Sequence, residues 1–339
     1  RIRCNLYWFR KLGEIRKYFV RNNSSQTSSK VLECLRNRSV LRISGNETSD
    51  FLQGLITNDM KHFQEGCANI YSLFLNTKGR VLYDTIVYKN QENDVFYIEC
   101  DTNVVEPLQK HLKMYRVRRK LDIENLQDQM NVWTLYDLSK YHKLEASKVV
   151  NNIMIYEDPR LQALGFRVIA ESNIERAEIM KHLHSDICDS NDVPNYREIL
   201  YKLGIAEGVN DLPPGKALPL EINCDYLHGI SFHKGCYIGQ ELTARTYHTG
   251  VVRKRLMPLI FDEIPDKPFS YDEKIMDESG KVVGKFRGNV RKRGLGLMRI
   301  TEALNARSLN ILGMKVQVLK PNWWPQESQK ATASVDGRK

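Results

Sequence analysis

Residues 233–246 read HKGCYIGQELTART, and they are the most informative stretch of this chain. Gly239 allows the backbone to turn, and the run that begins at Gln240 is typical of the first turns of a helix. Within this run Glu241 and Arg245 are four residues apart, so they can pair on one helical face. The stretch therefore predicts a tight loop that leads into a helix N-terminus.

The chemical interest of this loop lies in its cysteine, Cys236, which follows Lys234 by two positions. The positive end of a helix dipole and a nearby lysine both favour the thiolate over the thiol. Thiolate is the form that binds soft metals and acts as a nucleophile. On local chemistry alone, the alternative is a small buried cysteine that only packs.

Length and composition restrict the class of protein. A chain of 339 residues suits two or three domains, and 42% hydrophobic with 27% charged residues is typical of globular proteins. No apolar run reaches the length of a membrane span. The seven cysteines are scattered without a C-x-x-C pair, so zinc ribbons and thioredoxin-like chemistry lack their motif. This cysteine usage fits a reducing compartment.

The first thirty residues hold most of the net charge. They contain eight basic residues against the single acid Glu14, which gives +7 of the chain's +10. Four apolar residues there share one helical face, and a polar, serine-rich run follows. These four are Trp8, Leu12, Ile15 and Phe19. We predict that residues 1–30 are a mitochondrial transit peptide; a basic surface helix or a membrane-surface helix is the alternative. The nearly balanced remainder argues against DNA or RNA as a partner.

The predicted elements mix strands and helices. Asn76 to Gly79 is a hairpin turn between two β-rich runs, and a helix is predicted to end near Met114. From Val251 onward, short strands alternate with proline and glycine, which fits a small β-barrel or sandwich. The polar tail, residues 326–339, is expected to be disordered.

Four segments together identify the chain as resembling a known family. They are KGCYIGQE (234–241), LNTKGRVLYD (75–84), the run from Arg197 to Gly208 followed by LPLE (218–221), and PNWWP (321–325). They resemble the YgfZ-type folate-binding proteins, which are relatives of the glycine cleavage T-protein, an aminomethyltransferase. The resemblance covers about residues 35–325 and is greatest to the mitochondrial iron–sulfur cluster assembly branch.

The resemblance implies an α+β fold of three subdomains in a T-protein-like ring around a central channel. A Greek-key α+β subdomain is expected over residues 31–130. A ferredoxin-like subdomain with the signature motif is expected over 131–250, and a C-terminal β-barrel over 251–325. The subdomains of this family are partly discontinuous, so these linear boundaries are approximate.

The chain also departs from the T-protein. The T-protein has two adjacent aspartates at the end of the hairpin, where this chain has Tyr83 and Asp84. The T-protein's version of the signature also lacks the cysteine. These two changes favour metal or cluster handling over methylene transfer, and Asp84 would be catalytic only if the protein is a transferase.

The family implies two sites. A tetrahydrofolate pocket is expected to include Asn58, Asp59, Asp84, Tyr115, Arg118 and Glu207, although each could be an ordinary turn or strand-end residue. The signature site comprises Lys234, Gly235, Cys236, Tyr237, Gly239, Gln240, Glu241 and Arg245. Because one cysteine cannot hold a cluster alone, we expect Cys236 to share a transient iron–sulfur cluster with a partner.

The leading hypothesis is therefore a factor of the mitochondrial matrix that assists late 4Fe–4S cluster assembly. The family implies aconitase-type and radical-SAM enzymes such as lipoate synthase as targets, and A-type iron–sulfur carrier proteins as partners. A folate-dependent aminomethyltransferase is the alternative that would make the protein an enzyme. A tRNA-modification factor is a third hypothesis, which the nearly balanced charge of the body disfavours.

Overall fold

The computed structural model describes residues 30–138, 148–150, 152–183 and 194–325. The expected tail and all but the last residue of the expected transit peptide lie outside these ranges. Within them, no helix is long and apolar enough to cross a membrane. Every strand pair in the described ranges is antiparallel, and helices cover the sheets, so the predicted α+β class is confirmed.

The elements of the described ranges are numbered in chain order. The strands are β1 (Lys30–Cys34), β2 (Arg38–Ser44), β3 (Asn69–Leu75), β4 (Val81–Lys89), β5 (Val95–Asp101), β6 (Asp122–Asn125), β7 (Met130–Asp137), β8 (Lys148–Val150), β9 (Ile153–Glu157), β10 (Phe166–Glu171), β11 (Lys254–Phe261), β12 (Lys274–Asp277), β13 (Val282–Val290), β14 (Arg293–Arg299), β15 (Leu309–Ile311) and β16 (Met314–Val318). The α-helices are α1 (Thr48–Gln53), α2 (Val105–Arg116), α3 (Arg176–Leu183), α4 (Tyr196–Leu203), α5 (Gln240–Thr249) and α6 (Ile300–Asn305).

The first sheet has the strand order β3-β4-β5-β2-β6. Three consecutive strands are followed in space by β2, which is the arrangement of a Greek key. Helices α1 and α2 pack on the sheet, where Leu108 and Leu112 of α2 lie four residues apart on one buried face. The Asp101 side chain accepts a hydrogen bond from the Asn103 amide (2.8 Å) at the turn into α2.

The second sheet has the order β1-β7-β10-β9-β8. Strand β1 pairs with β7 over its whole length, from Lys30 opposite Asp137 to Cys34 opposite Trp133. Strand β1 therefore belongs to the second sheet, and the strands of the first sheet follow it in the chain. The expected N-terminal subdomain, residues 31–130, thus includes a strand of the second sheet. The sequence did not predict β1, β8 or β9, because each is too short to show a clear period.

The C-terminal strands close into a barrel of order β11-β14-β13-β12-β15-β16, and β16 pairs back with β11. This confirms the predicted barrel. Arg255 of β11 fixes the barrel to the preceding chain through a bidentate pair with Asp225, with both contacts at 2.8 Å. The same guanidinium lies 3.8 Å from the centre of the Tyr226 ring.

A long linker, residues 204–239, runs from α4 to α5 through turns. It is largely buried, because its apolar side chains belong to the largest core cluster together with residues of both sheets. Leu212, Leu220 and Ile222 are among them, with 4% or less of their surface exposed. The linker therefore brings its last residues, 233–239, to a defined place on the first sheet. We call these residues the signature loop.

Candidate functional site

The signature loop rests on the tip of the β3–β4 hairpin. Helix α5 begins after Gly239, whose φ of +78° is the left-handed conformation that favours glycine. A Cβ at this position would lie 2.3 Å from the Asn76 carbonyl oxygen. On the hairpin side, a Cβ on Gly79 would lie 3.0 Å from the Gly239 carbonyl oxygen. The two glycines therefore allow two backbones of the same chain to touch.

Lys234 points into the protein. Its ammonium donates to the carbonyl oxygens of Ile56 (2.7 Å) and Asn58 (2.5 Å), and it lies 5.1 Å from the centre of the Tyr237 ring. Burial lowers the pKa of Lys234 to about 8, and the nearby Asp59 carboxylate opposes this shift. The ammonium therefore fastens the loop to the segment after α1. Its expected influence on the Cys236 thiolate stays a prediction.

The other side of the loop is fastened as well. The Ile238 amide donates to the Gly54 carbonyl oxygen (3.1 Å), and the Tyr237 amide donates to the Gln240 side-chain oxygen (3.2 Å). Between these fixed points Cys236 is exposed, and a Cβ on Gly235 would meet no atom within 4 Å. The alternative of a buried, purely packing cysteine is therefore wrong.

Cys236 is one of two exposed cysteines among the described residues; the other is Cys67. Cys34 is half-buried, and Cys100 and Cys224 are buried. Within the described ranges there is no group of three or more histidine, cysteine, aspartate or glutamate side chains placed to hold a metal ion. Among the described residues, Cys236 therefore does not belong to a set of three metal ligands.

Two of the expected folate residues hold the turn that follows α1. The Asn58 side-chain amide donates to the carbonyl oxygens of Tyr71 (2.7 Å) and His228 (2.8 Å). The Asp59 carboxylate accepts from the Lys61 amide (3.0 Å) and the Gln53 side chain (2.9 Å). These contacts occupy both side chains in local structure.

Two more of the expected folate residues lie at the end of α2. The Tyr115 ring is half-buried, with its centre 4.9 Å from that of His111. Arg118 follows the helix and is exposed. Neither is in contact with the turn after α1 in any hydrogen bond or ring pair among the described residues.

The last two, Asp84 and Glu207, belong to a buried network of arginines and carboxylates where the two sheets meet. Each member is at most 4% exposed. The arginines are Arg38, Arg160 and Arg167, and the carboxylates are Asp84, Glu99, Asp158 and Glu207. Sequence reasoning missed the three arginines, and the only local signal was a charged residue within an apolar strand, as at Arg167.

On the first sheet, Arg38 bridges two carboxylates. It donates to Asp84 at 3.0 Å and to Glu99 at 2.7 Å. The other Asp84 oxygen accepts from the Gly208 amide (3.2 Å). Burial raises the pKa of Asp84, although the Arg38 charge opposes the shift. The Asp84 carboxylate is therefore already engaged on both oxygens.

On the second sheet, two arginines converge on one carboxylate. Arg160 contacts Glu207 at 2.8 Å, and Arg167 also donates to Glu207. Arg160 contacts Asp158 at 2.7 Å as well. Burial alone would raise the pKa of Glu207, but Arg167 and Arg160 hold it well below its usual range. Glu207 therefore stays ionised and paired.

The structure thus places the six expected folate residues in three separate regions. None of them lines the cavities of 380, 210 and 440 Å³ found among the described residues. A pteridine needs an apolar slot with a few free polar anchors. Of the carboxylates assigned to it, Asp84 and Glu207 are paired with arginines, and Asp59 accepts from the Lys61 amide and the Gln53 side chain. These residues do not fit a folate in this structure.

Two protein-family models match the sequence. CAF17, C-terminal beta-barrel domain, matches residues 253–326, which contain the barrel. The GCVT N-terminal domain matches residues 32–139, which contain the first sheet. The two models therefore cover opposite ends of the described chain.

Relatives with a described role match over most of the chain. "Iron-sulfur cluster assembly factor IBA57, mitochondrial" of Homo sapiens is 36% identical over 322 residues, which is 89% of this chain and 88% of that protein. The Mus musculus protein of the same name is 36% identical over 86% of this chain and 84% of its own. The homolog from Dictyostelium discoideum is 31% identical over 68% of this chain and 63% of its own.

A solved structure shows the same fold. The glycine cleavage system aminomethyltransferase T from Bartonella henselae superposes with a TM-score of 0.67 and covers 88% of this chain and 87% of that one. The expected T-protein-like fold is therefore confirmed. The sequence identity is 12%, so this likeness concerns the fold alone.

The glycine contact yields a first prediction. We expect Gly239→Ala to lower the free energy of unfolding by about 2 kcal/mol, because it adds a Cβ to a left-handed residue against the Asn76 carbonyl. Gly235→Ala is the matched control and should change stability by less than about 0.5 kcal/mol. Urea and thermal unfolding measure both. Equal effects of the two substitutions would contradict the assigned contact.

The buried network yields a second prediction. We expect Arg160→Met to destabilise the fold by about 3 kcal/mol or more, since it leaves Asp158 and Glu207 short of a buried partner. Arg42→Met removes a half-buried arginine that pairs with the exposed Glu124 at 3.0 Å, and should cost less than about 1 kcal/mol. Thermal unfolding compares the two. A neutral Arg160→Met would show that the network does not hold the sheets together.

Proposed function

This chain belongs to the IBA57 family of mitochondrial iron–sulfur cluster assembly factors, and from that premise we propose that Cys236 binds a cluster jointly with a second protein. The protein is mitochondrial and acts in iron–sulfur cluster assembly. The observation that carries the proposal is the position of Cys236, which is exposed in a loop whose two sides are both fastened to the protein. A thiol presented in this way is accessible to a cluster on another protein.

The need for a second protein follows from the number of ligands. Iron–sulfur clusters are held by several thiolates or equivalent ligands. Among the described residues, no group of three metal-binding side chains exists, so Cys236 is not part of one. We therefore assign the remaining ligands to the partner, and propose an A-type iron–sulfur carrier protein in that role.

The surface beside the thiol suits a partner. His233 is exposed within the same loop. The Phe232 ring stacks on the Tyr247 ring of α5 with centres 3.6 Å apart, and Tyr247 is 49% exposed. Exposed aromatic rings are enriched in protein interfaces. We propose that the carrier contacts this face while its cluster binds Cys236.

The proposed products are 4Fe–4S clusters of the mitochondrial matrix, made late in assembly. The proposed recipients are aconitase-type enzymes and radical-SAM enzymes such as lipoate synthase. This part of the proposal is supported by the family resemblance, and the geometry of Cys236 is compatible with it because a single ligand allows the cluster to leave.

An aminomethyltransferase is the alternative function, and the geometry of Asp84 counts against it. A transferase of this fold would use this carboxylate on the folate amine. Here Arg38 and the Gly208 amide already engage both oxygens of Asp84, and the residue is 4% exposed. Tetrahydrofolate stays a proposed ligand on the family resemblance.

A third prediction tests the shared cluster. The purified protein is mixed with an A-type carrier under reducing conditions, and cluster absorbance and co-elution are followed. We expect Cys236→Ala to abolish the shared chromophore, because the variant lacks the thiolate ligand. Cys67→Ala, at the other exposed cysteine of the described residues, should behave as wild type. The same chromophore with Cys236→Ala would overturn the ligand assignment.

A fourth prediction concerns turnover. With an aminomethyl donor and tetrahydrofolate, we expect no methylene transfer above the protein-free rate, because Asp84 is engaged by Arg38. The measurement is formation of methylenetetrahydrofolate by wild type and by Asp84→Asn, with the folded state of the variant checked by thermal unfolding. Transfer by wild type that Asp84→Asn abolishes would make the transferase the better description.

A further inference from the structure

Helix α2 ends in a strongly basic segment. From Pro107 to Leu121 the chain has six lysines and arginines and no acid, which gives this segment a charge of +6. Of the chain's +10, residues 1–30 contribute +7, so residues 31–339 together carry +3. The body of the protein outside the segment is therefore acidic. We call residues 110–120 the basic tip, and its cations are Lys110, Lys113, Arg116, Arg118, Arg119 and Lys120.

The cations of the basic tip are not neutralised by the described part of the protein. Within it, none of the six side chains forms an ion pair with a carboxylate. Arg116 donates instead to the carbonyl oxygen of Leu121 (3.0 Å). Glu47 accepts a hydrogen bond from the backbone amide of Lys120 (3.4 Å), not from its ammonium. The positive field of the tip is therefore available to an external anion.

Two large apolar side chains project between these cations. Met114 is 66% exposed and Val117 is 79% exposed. Lys110, Lys113 and Met114 lie on the face of α2 opposite its buried leucines, because they are three and four residues apart. The tip therefore presents apolar side chains and positive charge on one surface. This combination is typical of segments that lie on anionic membranes.

Val117 is held in a backbone conformation that valine rarely adopts. Its φ of +52° and ψ of −106° are close to those of the second residue of a type II′ turn. The Arg119 amide closes this turn by donating to the Arg116 carbonyl oxygen (3.0 Å). The position favours glycine, and a β-branched side chain there is strained. Because Val117 is mostly exposed, packing does not offset the strain, which indicates a role in contact with another surface.

We propose that the basic tip binds the anionic lipid surface of a mitochondrial membrane. The side chains of Met114 and Val117 enter the boundary between headgroups and acyl chains, and the six cations lie against lipid phosphates. The proposal goes beyond cluster sharing, and it involves no residue of the signature loop.

The composition of the tip favours a lipid surface over an acidic protein. Lysine is depleted in protein interfaces, and charged residues of every kind are scarce at their centres. The tip instead has three lysines and three arginines around two apolar side chains. Lipid headgroups move laterally and can meet cations in any arrangement, whereas a folded protein would need a carboxylate placed opposite each one.

Hydrogen exchange at the tip tests the proposal on the full chain. Residues 1–30 are basic as well, so the measurement has to be local. The exchange of residues 110–121 is followed with vesicles of phosphatidylcholine alone, and with vesicles of phosphatidylcholine and cardiolipin in equal parts. We expect only the cardiolipin vesicles to slow this exchange, and the effect to weaken from about 0.05 M to about 0.5 M salt. The lipid concentration that gives half of the effect measures the affinity of the tip.

Val117→Gly separates the strain from the binding. It should raise the melting temperature, because glycine suits the turn, and weaken lipid binding by at least about threefold, because the apolar side chain is lost. Leu312→Gly is the matched control, since Leu312 also has a positive φ (+49°) and is 69% exposed, in a barrel turn outside the tip. It should raise the melting temperature and bind lipid as wild type.

Lys113→Gln and Arg118→Gln test the charge of the tip. Each should weaken lipid binding about fivefold, because each removes one cation from the anionic surface. Lys274→Gln, at an exposed position of the barrel, is the control and should bind as wild type. Affinities unchanged by all three tip substitutions would overturn the location.

Equal slowing of exchange by neutral and anionic vesicles, or slowing by neither, would overturn the proposal itself. If an A-type carrier slowed the exchange of the tip and the vesicles did not, the tip would be assigned to an acidic protein surface instead. The test is separate from that of the shared cluster, since Cys236→Ala should keep the lipid effect. Likewise, Val117→Gly should still form the shared chromophore with a carrier.

Discussion

Glu207 accepts hydrogen bonds from two arginines at the place where the two sheets meet, and the arrangement of the subdomains depends on this contact. Arg167 belongs to the second sheet, and Arg160 lies in the loop before it. Arg167 also lies 3.5 Å from Glu99 of the first sheet. Taking these charges out of water costs several kcal/mol per ion, so the network is stable only when every member has its partner. Because its members come from both sheets and from the linker, the network joins the two sheets.

The same network positions the signature loop through the linker. Glu207 is followed by Gly208 and Val209, whose amides donate to Asp84 (3.2 Å) and Asp101 (3.0 Å) of the first sheet. The start of the linker is therefore hydrogen-bonded to the first sheet. The linker then passes beside the barrel and ends at Gly239, which contacts the β3–β4 hairpin. Carboxylates that a transferase would use on its substrate here hold the framework together. The proposed cluster ligand, Cys236, lies instead on the outer surface, where it is exposed.

The sequence predicted those features that depend on neighbouring residues. The turn at Asn76 to Gly79, the start of α5 and the barrel strands all carry local turn or periodicity signals. Strand β9 is a short apolar run, and its pairing with β10 depends on residues far along the chain. The network was not predictable, because no spacing rule relates Arg38 to Asp84 or Arg160 to Glu207. The family resemblance places Asp84 and Glu207 in one pocket. In the structure both carboxylates are paired with buried arginines, so they act as structural residues.

The signature illustrates how a specific motif can be mainly structural. Lys234 fastens one side of the loop, Gly239 permits contact with the hairpin, and Gln240 closes the turn from the start of the helix. Cys236 is exposed between these fixed positions, and none of the contacts described above gives it such a task. Because the loop is already rigid, a partner that binds there loses little additional conformational entropy. A single cysteine can then serve as a selective ligand, since its position is set by the residues on either side.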